Sequence, residues 1–284
     1  MFGAFFAVGA PPAGAHGHHG HHHRGFLFTG TDTEEFGGAV NGPDRLGRFR
    51  TDGPNVVGGG LLTTSYPING MADAGGFLYS GDPYSNTIRK ISYSGALLGS
   101  VVAGFAPGCC SEDMIVAGRV LYHAHYSGAI EKVDAATGAL LQTYAQSTVV
   151  GMTFVTRHHE DEHGDGHHGD RHHRSTAGRT WSHHGHHGHG REIWISKWGP
   201  KQVGTWDPTT NTFTPRFTVP NLAGGLAWDG ESKVLWVGME GGMVVPYRLD
   251  GTTYNAGFQP FGAIDDTVDG LEFVPAGHRH HHHH

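Results

Sequence analysis

Residues Gly224–Asp250 read GGLAWDGESKVLWVGMEGGMVVPYRLD, three short apolar runs separated by turn-forming residues. Leu226-Ala227-Trp228 is the first run, Val234-Leu235-Trp236-Val237 the second and Met243 to Leu249 the third, with Asp229-Gly230 and Gly241-Gly242 at the turns. Runs of this length, rich in β-branched and aromatic residues and bounded by Gly and Asp, predict an antiparallel meander of three strands. A sheet this small cannot bury both its faces alone, so it needs others to stack against.

Working outward, the same pattern returns along the chain. Opposite Leu235-Trp236 stand Leu27-Phe28, Leu78-Tyr79, Leu121-Tyr122 and Ile193-Trp194, each an aliphatic–aromatic second strand. Third strands repeat as Leu46 and Phe49, Ile88 and Ile91, Ile130 and Val133, Val203 and Trp206, Val244 and Tyr247, with Asp134, Asp207 and Asp250 turning the chain after three of them. First strands begin at Met71, Met114, Met152 and Leu226, about 40 residues apart where no insertion intervenes, a propeller-like period. None precedes Leu27. Leu271-Glu272-Phe273-Val274, after Asp269-Gly270, has the character of a first strand and no blade behind it. Pairing it with the N-terminal blade closes the ring without a free sheet edge. The expected fold is all-β, a five-bladed β-propeller over residues 25–276 closed by its C-terminal strand.

Composition agrees. Glycine is 47 of 284 residues and charged residues only 16%, which suits many short strands and tight turns. The formal charge of −7 offers no basic face for nucleic acid. No stretch approaches the ~20 apolar residues of a membrane helix. Phe2 to Ala15 is apolar and ends Ala13-Gly14-Ala15, the small-x-small pattern of signal-peptide cleavage, so residues 1–24 read as an export signal with a His-rich tail and the protein as secreted or periplasmic. Residues 277–284 read as a His-rich tail or purification tag.

Of the 26 histidines, 24 fall in three tracts, His16 to His23, His158 to His189 and His278 to His284. The middle tract lies in an insertion, Arg157 to Arg191, between a first strand at Met152-Val155 and a second at Ile193-Ile195. With almost no apolar residue besides Trp181, it is expected to be disordered without a ligand. Its His158, His159, His163, His167, His168, His172, His173, His183, His184, His186, His187 and His189 alternate with Asp and Glu. Imidazole and carboxylate are the ligands that Zn²⁺, Cu²⁺ and Ni²⁺ favour, and interleaved glycines suit capture or buffering better than one rigid site. The competing reading is a solvated low-complexity loop.

Outside the tracts, His123 and His125 are two apart in a second strand and so share one face of a sheet. They are read either as a metal pair or as histidines hydrogen-bonded between blades. Cys109 and Cys110 are adjacent, a vicinal disulfide or two thiols. The residues before the inner strands, Asn69-Gly70, Glu112-Asp113, Val150-Gly151, Gly224-Gly225 and Asp269-Gly270, are expected to ring one mouth of the central channel. Asn69, Glu112, Asp113 and Asp269 would converge there, either as turn formers or as oxygen ligands for Ca²⁺.

Residues Cys109 to Tyr144, with the turn Asp134-Ala135-Ala136-Thr137-Gly138, resemble the repeat of pyrroloquinoline-quinone dehydrogenases. That family places a vicinal disulfide against its quinone, although Gln142 stands where its blade-docking tryptophan belongs. The channel-mouth residues resemble the cation site of gluconolactonase-type propellers, and the chain as a whole is similar to exported bacterial propeller-repeat proteins. From these readings the protein is expected to be an exported, non-catalytic binding or scaffold propeller that holds transition metals, with a protein or small molecule on its face. The alternative is a hydrolase or lactonase with a channel-mouth cation. No P-loop, nucleophile elbow or haem-attachment motif is present, so no nucleotide or haem is expected.

Overall fold

The computed structural model describes residues 24–30, 44–103, 111–125, 128–156, 191–264 and 266–276. Their regular elements are β-strands in five antiparallel sheets arranged as a five-bladed propeller. Blade 1 takes β1 (Gly25–Gly30), β2 (Arg45–Asp52) and β3 (Asn55–Thr63). Blade 2 is β4 (Asn69–Asp73), β5 (Leu78–Gly81), β6 (Thr87–Ile91) and β7 (Leu97–Val102), and blade 3 is β8 (Ser111–Ala117), β9 (Val120–His125), β10 (Ala129–Asp134) and β11 (Leu140–Ala145). Blade 4 is β12 (Val149–Thr156), β13 (Arg191–Lys197), β14 (Gln202–Asp207) and β15 (Thr212–Thr218); blade 5 is β16 (Ala223–Asp229), β17 (Val234–Met239) and β18 (Met243–Tyr247). The last strand, β19 (Gly270–Pro275), pairs antiparallel with β1, Phe26 opposite Val274 and Gly30 opposite Gly270, and supplies the inner strand of blade 1. Ring closure by the C-terminal strand is therefore as the repeat pattern requires.

The aliphatic–aromatic pair in each second strand now has a physical cause. Neighbouring residues of a strand point to opposite faces, and each face of a blade meets a different neighbour. Leu27 packs toward blade 5 with Trp236 and Leu271, while Phe28 packs toward blade 2 with Ile68 and Met71. Likewise Leu235 faces blade 4 beside Trp194, and Trp236 faces blade 1. Five such interblade clusters form the core, and β17 is buried along its whole length.

One expectation was incomplete. Blades 1 to 4 carry a fourth, outer strand, not three. The outer strands β7 and β11 leave Leu97, Leu98, Val102, Leu140 and Leu141 exposed, so no buried alternation marks them in the sequence. Blade 5 has three strands, and single bridges from Val244 to Phe258 and from Tyr247 to Thr253 lay the following segment along β18. The turn aspartates cap their turns: Asp134 accepts from the Ala136 and Thr137 N–H groups, Asp207 from Thr209 and Asp250 from Thr252. No helix among the described residues is long and apolar enough to cross a membrane.

Candidate functional site

The five inner strands β4, β8, β12, β16 and β19 converge on the axis, and at one end they approach so closely that four of the five equivalent positions are glycine. A Cβ on Gly70 would strike the Glu112 carbonyl, one on Gly151 the Gly224 carbonyl and one on Gly225 the Asp269 carbonyl. The exception is Asp113, which is fully buried. Its Oδ1 accepts the N–H of Met71 at 3.0 Å and of Met114 at 2.9 Å, and its Oδ2 accepts those of Met152 at 2.9 Å and Leu226 at 3.2 Å. One carboxylate thus joins blades 2, 3, 4 and 5. Burial pushes its pKa up and the four N–H donors oppose the rise. With a donor aimed at every oxygen direction, the geometry suits the ionised form.

The other residues expected at this mouth are buried as well. Asn69 donates from Nδ2 to the Ser111 carbonyl at 2.6 Å and accepts from the Gly70 N–H at 3.0 Å, and Asp269 accepts a bond from the Thr267 hydroxyl. Glu112 is buried beside them. Among the described residues no group of three or more His, Cys, Asp and Glu side chains is placed to hold a metal ion.

His123 and His125 share a face of β9 as their spacing requires, with rings 5.7 Å apart and edge to face. That face also carries Leu121, which packs against blade 2 with Ala72 and Ile88. His123 Nε2 lies 2.6 Å from Ser111 Oγ, and Glu131 stands opposite His123 on β10. Burial, then His125, lowers the His123 pKa to about 3; burial also lowers that of His125 and raises that of Glu131 to about 7. The Cys109–Cys110 pair and the histidines from His158 to His189 lie outside the described residues, as do the N-terminal segment before Arg24 and the C-terminal His tract.

At the opposite end of the axis the inner strands diverge around a cavity of about 380 Å³. Glu272 of β19 opens onto it. Its Oε2 accepts the Asp73 N–H across the blade interface at 3.0 Å, and its Oε1 accepts the Phe273 N–H at 2.9 Å. Burial, reinforced by the Asp73 charge and opposed by these bonds, raises its pKa to about 8. Asp73 also lines the cavity and accepts the Tyr93 hydroxyl at 2.6 Å. On the side of blades 4 and 5 stand Thr156, Arg191 and Trp228. The Arg191 guanidinium lies 4.8 Å from the centre of the Phe154 ring, and the Trp228 Nε1 is buried without a partner among the described residues. Thr156 and Arg191 are directly paired across β12 and β13, so both roots of the His-rich insertion stand on the cavity wall.

This cavity was not expected from the sequence. The signal for it was a mismatch: at positions equivalent to Glu272 the other inner strands carry Ala72, Ile115, Thr153 and Ala227, and a lone glutamate in that series marks a polar demand. In sequence comparisons no protein-family model and no curated protein matches the chain.

Proposed function

We propose that the protein is an exported, non-catalytic binding propeller whose His-rich segments hold transition-metal ions beside its axial cavity. The observation that carries this reading is the Thr156–Arg191 pair, which roots the segment bearing twelve of the histidines at the rim of the axial cavity. A rigid ring with a ligand-sized hollow, and a metal-binding chain anchored at its mouth, suits capture and display. Export rests on the apolar segment ending at Ala15. The competing reading, a calcium-dependent hydrolase at the other mouth, requires Asp113 to give up four N–H partners before it could ligate a cation.

Zinc and copper titration of two proteins lacking the C-terminal histidines tests the proposal, one otherwise full-length and one with residues 157–190 replaced by a short Gly-Ser turn. Multiple ions bound near neutral pH by the first, released near pH 5 as imidazoles protonate, and lost from the second apart from those on the N-terminal tract, is the expected result. A single ion retained by the shortened protein at full affinity would move the metal into the propeller and overturn it.

A further inference from the structure

Apart from Glu231, the charged and hydrogen-bonding side chains named here are sorted across the axial cavity. Blades 1 and 2 contribute acids, Glu272 and Asp73, whose carboxyl oxygens keep acceptor capacity beyond the bonds they already take. Blades 4 and 5 contribute donors. A Cβ placed on Gly230 would lie 3.2 Å from Trp228 Nε1 and 3.3 Å from Thr156 Oγ1, so these two donors stand close together against the Gly230 backbone, with Arg191 beside Thr156. Among the described residues blade 3 contributes Ile115 and Val116, and Phe154 and Phe273 add aromatic wall. Glu231 also lines the cavity, exposed, on the side of blade 5.

A buried indole N–H with no acceptor among the described residues is a demand that a ligand can meet. A neighbouring acid wall makes the complementary demand for a cation, and charge-assisted bonds at both ends would fix the ligand's direction. We infer that the cavity binds a small zwitterion of the amino-acid type, its ammonium held by Glu272 and Asp73 and its carboxylate by Trp228 Nε1, Thr156 Oγ1 and Arg191. The volume admits a molecule of that size with an apolar side chain against Ile115 and the two phenylalanines. An ammonium beside Glu272 favours its ionised form, so uptake releases a proton and affinity tightens as pH rises from 6 toward the folded-state value near 8.

The inference rests on the binding-protein reading but not on metal, and the experiment keeps them apart. Calorimetric titration of the full chain in EDTA uses L-phenylalanine and the straight-chain amino acids from glycine to 6-aminohexanoate, each beside the amine and the carboxylate that lack one of its charges. At least one zwitterion binds, about tenfold or more tighter than either of its singly charged counterparts, as expected for losing one charge-assisted end. Trp228→Phe, which keeps the ring and removes the donor, brings that zwitterion down to the level of the amine. Glu272→Gln brings it down to the level of the carboxylate, with melting curves showing that each variant is folded. No binding by any zwitterion, equal binding by the amine or the acid, or unchanged binding in folded Trp228→Phe would each overturn the inference. Zinc uptake by the His-rich segment, measured without EDTA, stands or falls independently.

Discussion

Asp113 is the side chain on which most of the ring converges, because its carboxylate accepts backbone N–H groups from four blades. Asp113→Asn preserves the shape and turns one oxygen into a donor that faces two other donors. We predict a loss on the order of 3–5 kcal/mol, the cost of removing one partner from a buried charged hydrogen-bond set, read as a lowered urea midpoint at pH 7. A variant with an unchanged midpoint would show that the axis is held by packing alone. The buried titratable groups of blade 3 act in opposite directions with pH. Glu131 has its folded pKa raised from 4.5 to about 7, so its contribution is whole below 4.5 and is lost as pH rises through 7. His123, lowered from 6.5 to about 3, contributes fully above 6.5 and loses that contribution as pH falls toward 3. Glu131→Gln is therefore expected to melt above the native protein at pH 8.5, with the gap closing toward pH 4, while the acid limb that begins near 6.5 stays in place.

Among the elements, β19 completes a blade begun some 240 residues earlier in the chain and carries Leu271 and Phe273 into the cluster between blades 5 and 1. Deleting residues 270–276 removes both the pairing and that packing, and the expected product melts without a cooperative transition and binds a hydrophobic dye. Leu271→Ala alone should cost about 2–5 kcal/mol, as for other large-to-small changes at a fully buried site. Second strands such as Val234-Leu235-Trp236-Val237 were legible in the sequence because each residue faces a neighbouring blade and must be apolar. Outer strands such as Leu97–Val102 were not, since exposure lets polar and apolar residues mix. The ring of residues at the Asp113 end could be placed from the repeat, but what Asp113 does could not, because its partners are backbone groups that the sequence does not distinguish. Glu272 stands out once the inner strands are aligned, but Trp228 looks ordinary until the ring closes and sets both in one hollow.

Across the whole molecule, the propeller admits a long insertion because Thr156 and Arg191 finish a hairpin whose pairing is complete without it. Shortening residues 157–190 to a four-residue turn removes about three doublings of loop length. At roughly 0.6 kcal/mol for each doubling, the shortened protein should gain on the order of 2 kcal/mol in denaturant unfolding without metal. A loss of stability instead would mean that the segment packs on the ring. Ring closure by β19 also sets a schedule for synthesis. At ~5–20 residues per second the ribosome needs roughly ten to fifty seconds between β1 and β19. Throughout that interval Leu27 and Phe28 sit on a strand whose inner edge is open, and for most of it the blade 5 neighbour of Leu27 does not yet exist. The first blade to leave the ribosome is the last to be finished, so a holding chaperone has its longest opportunity at the N-terminal strand, and a stalled chain presents that edge to other chains.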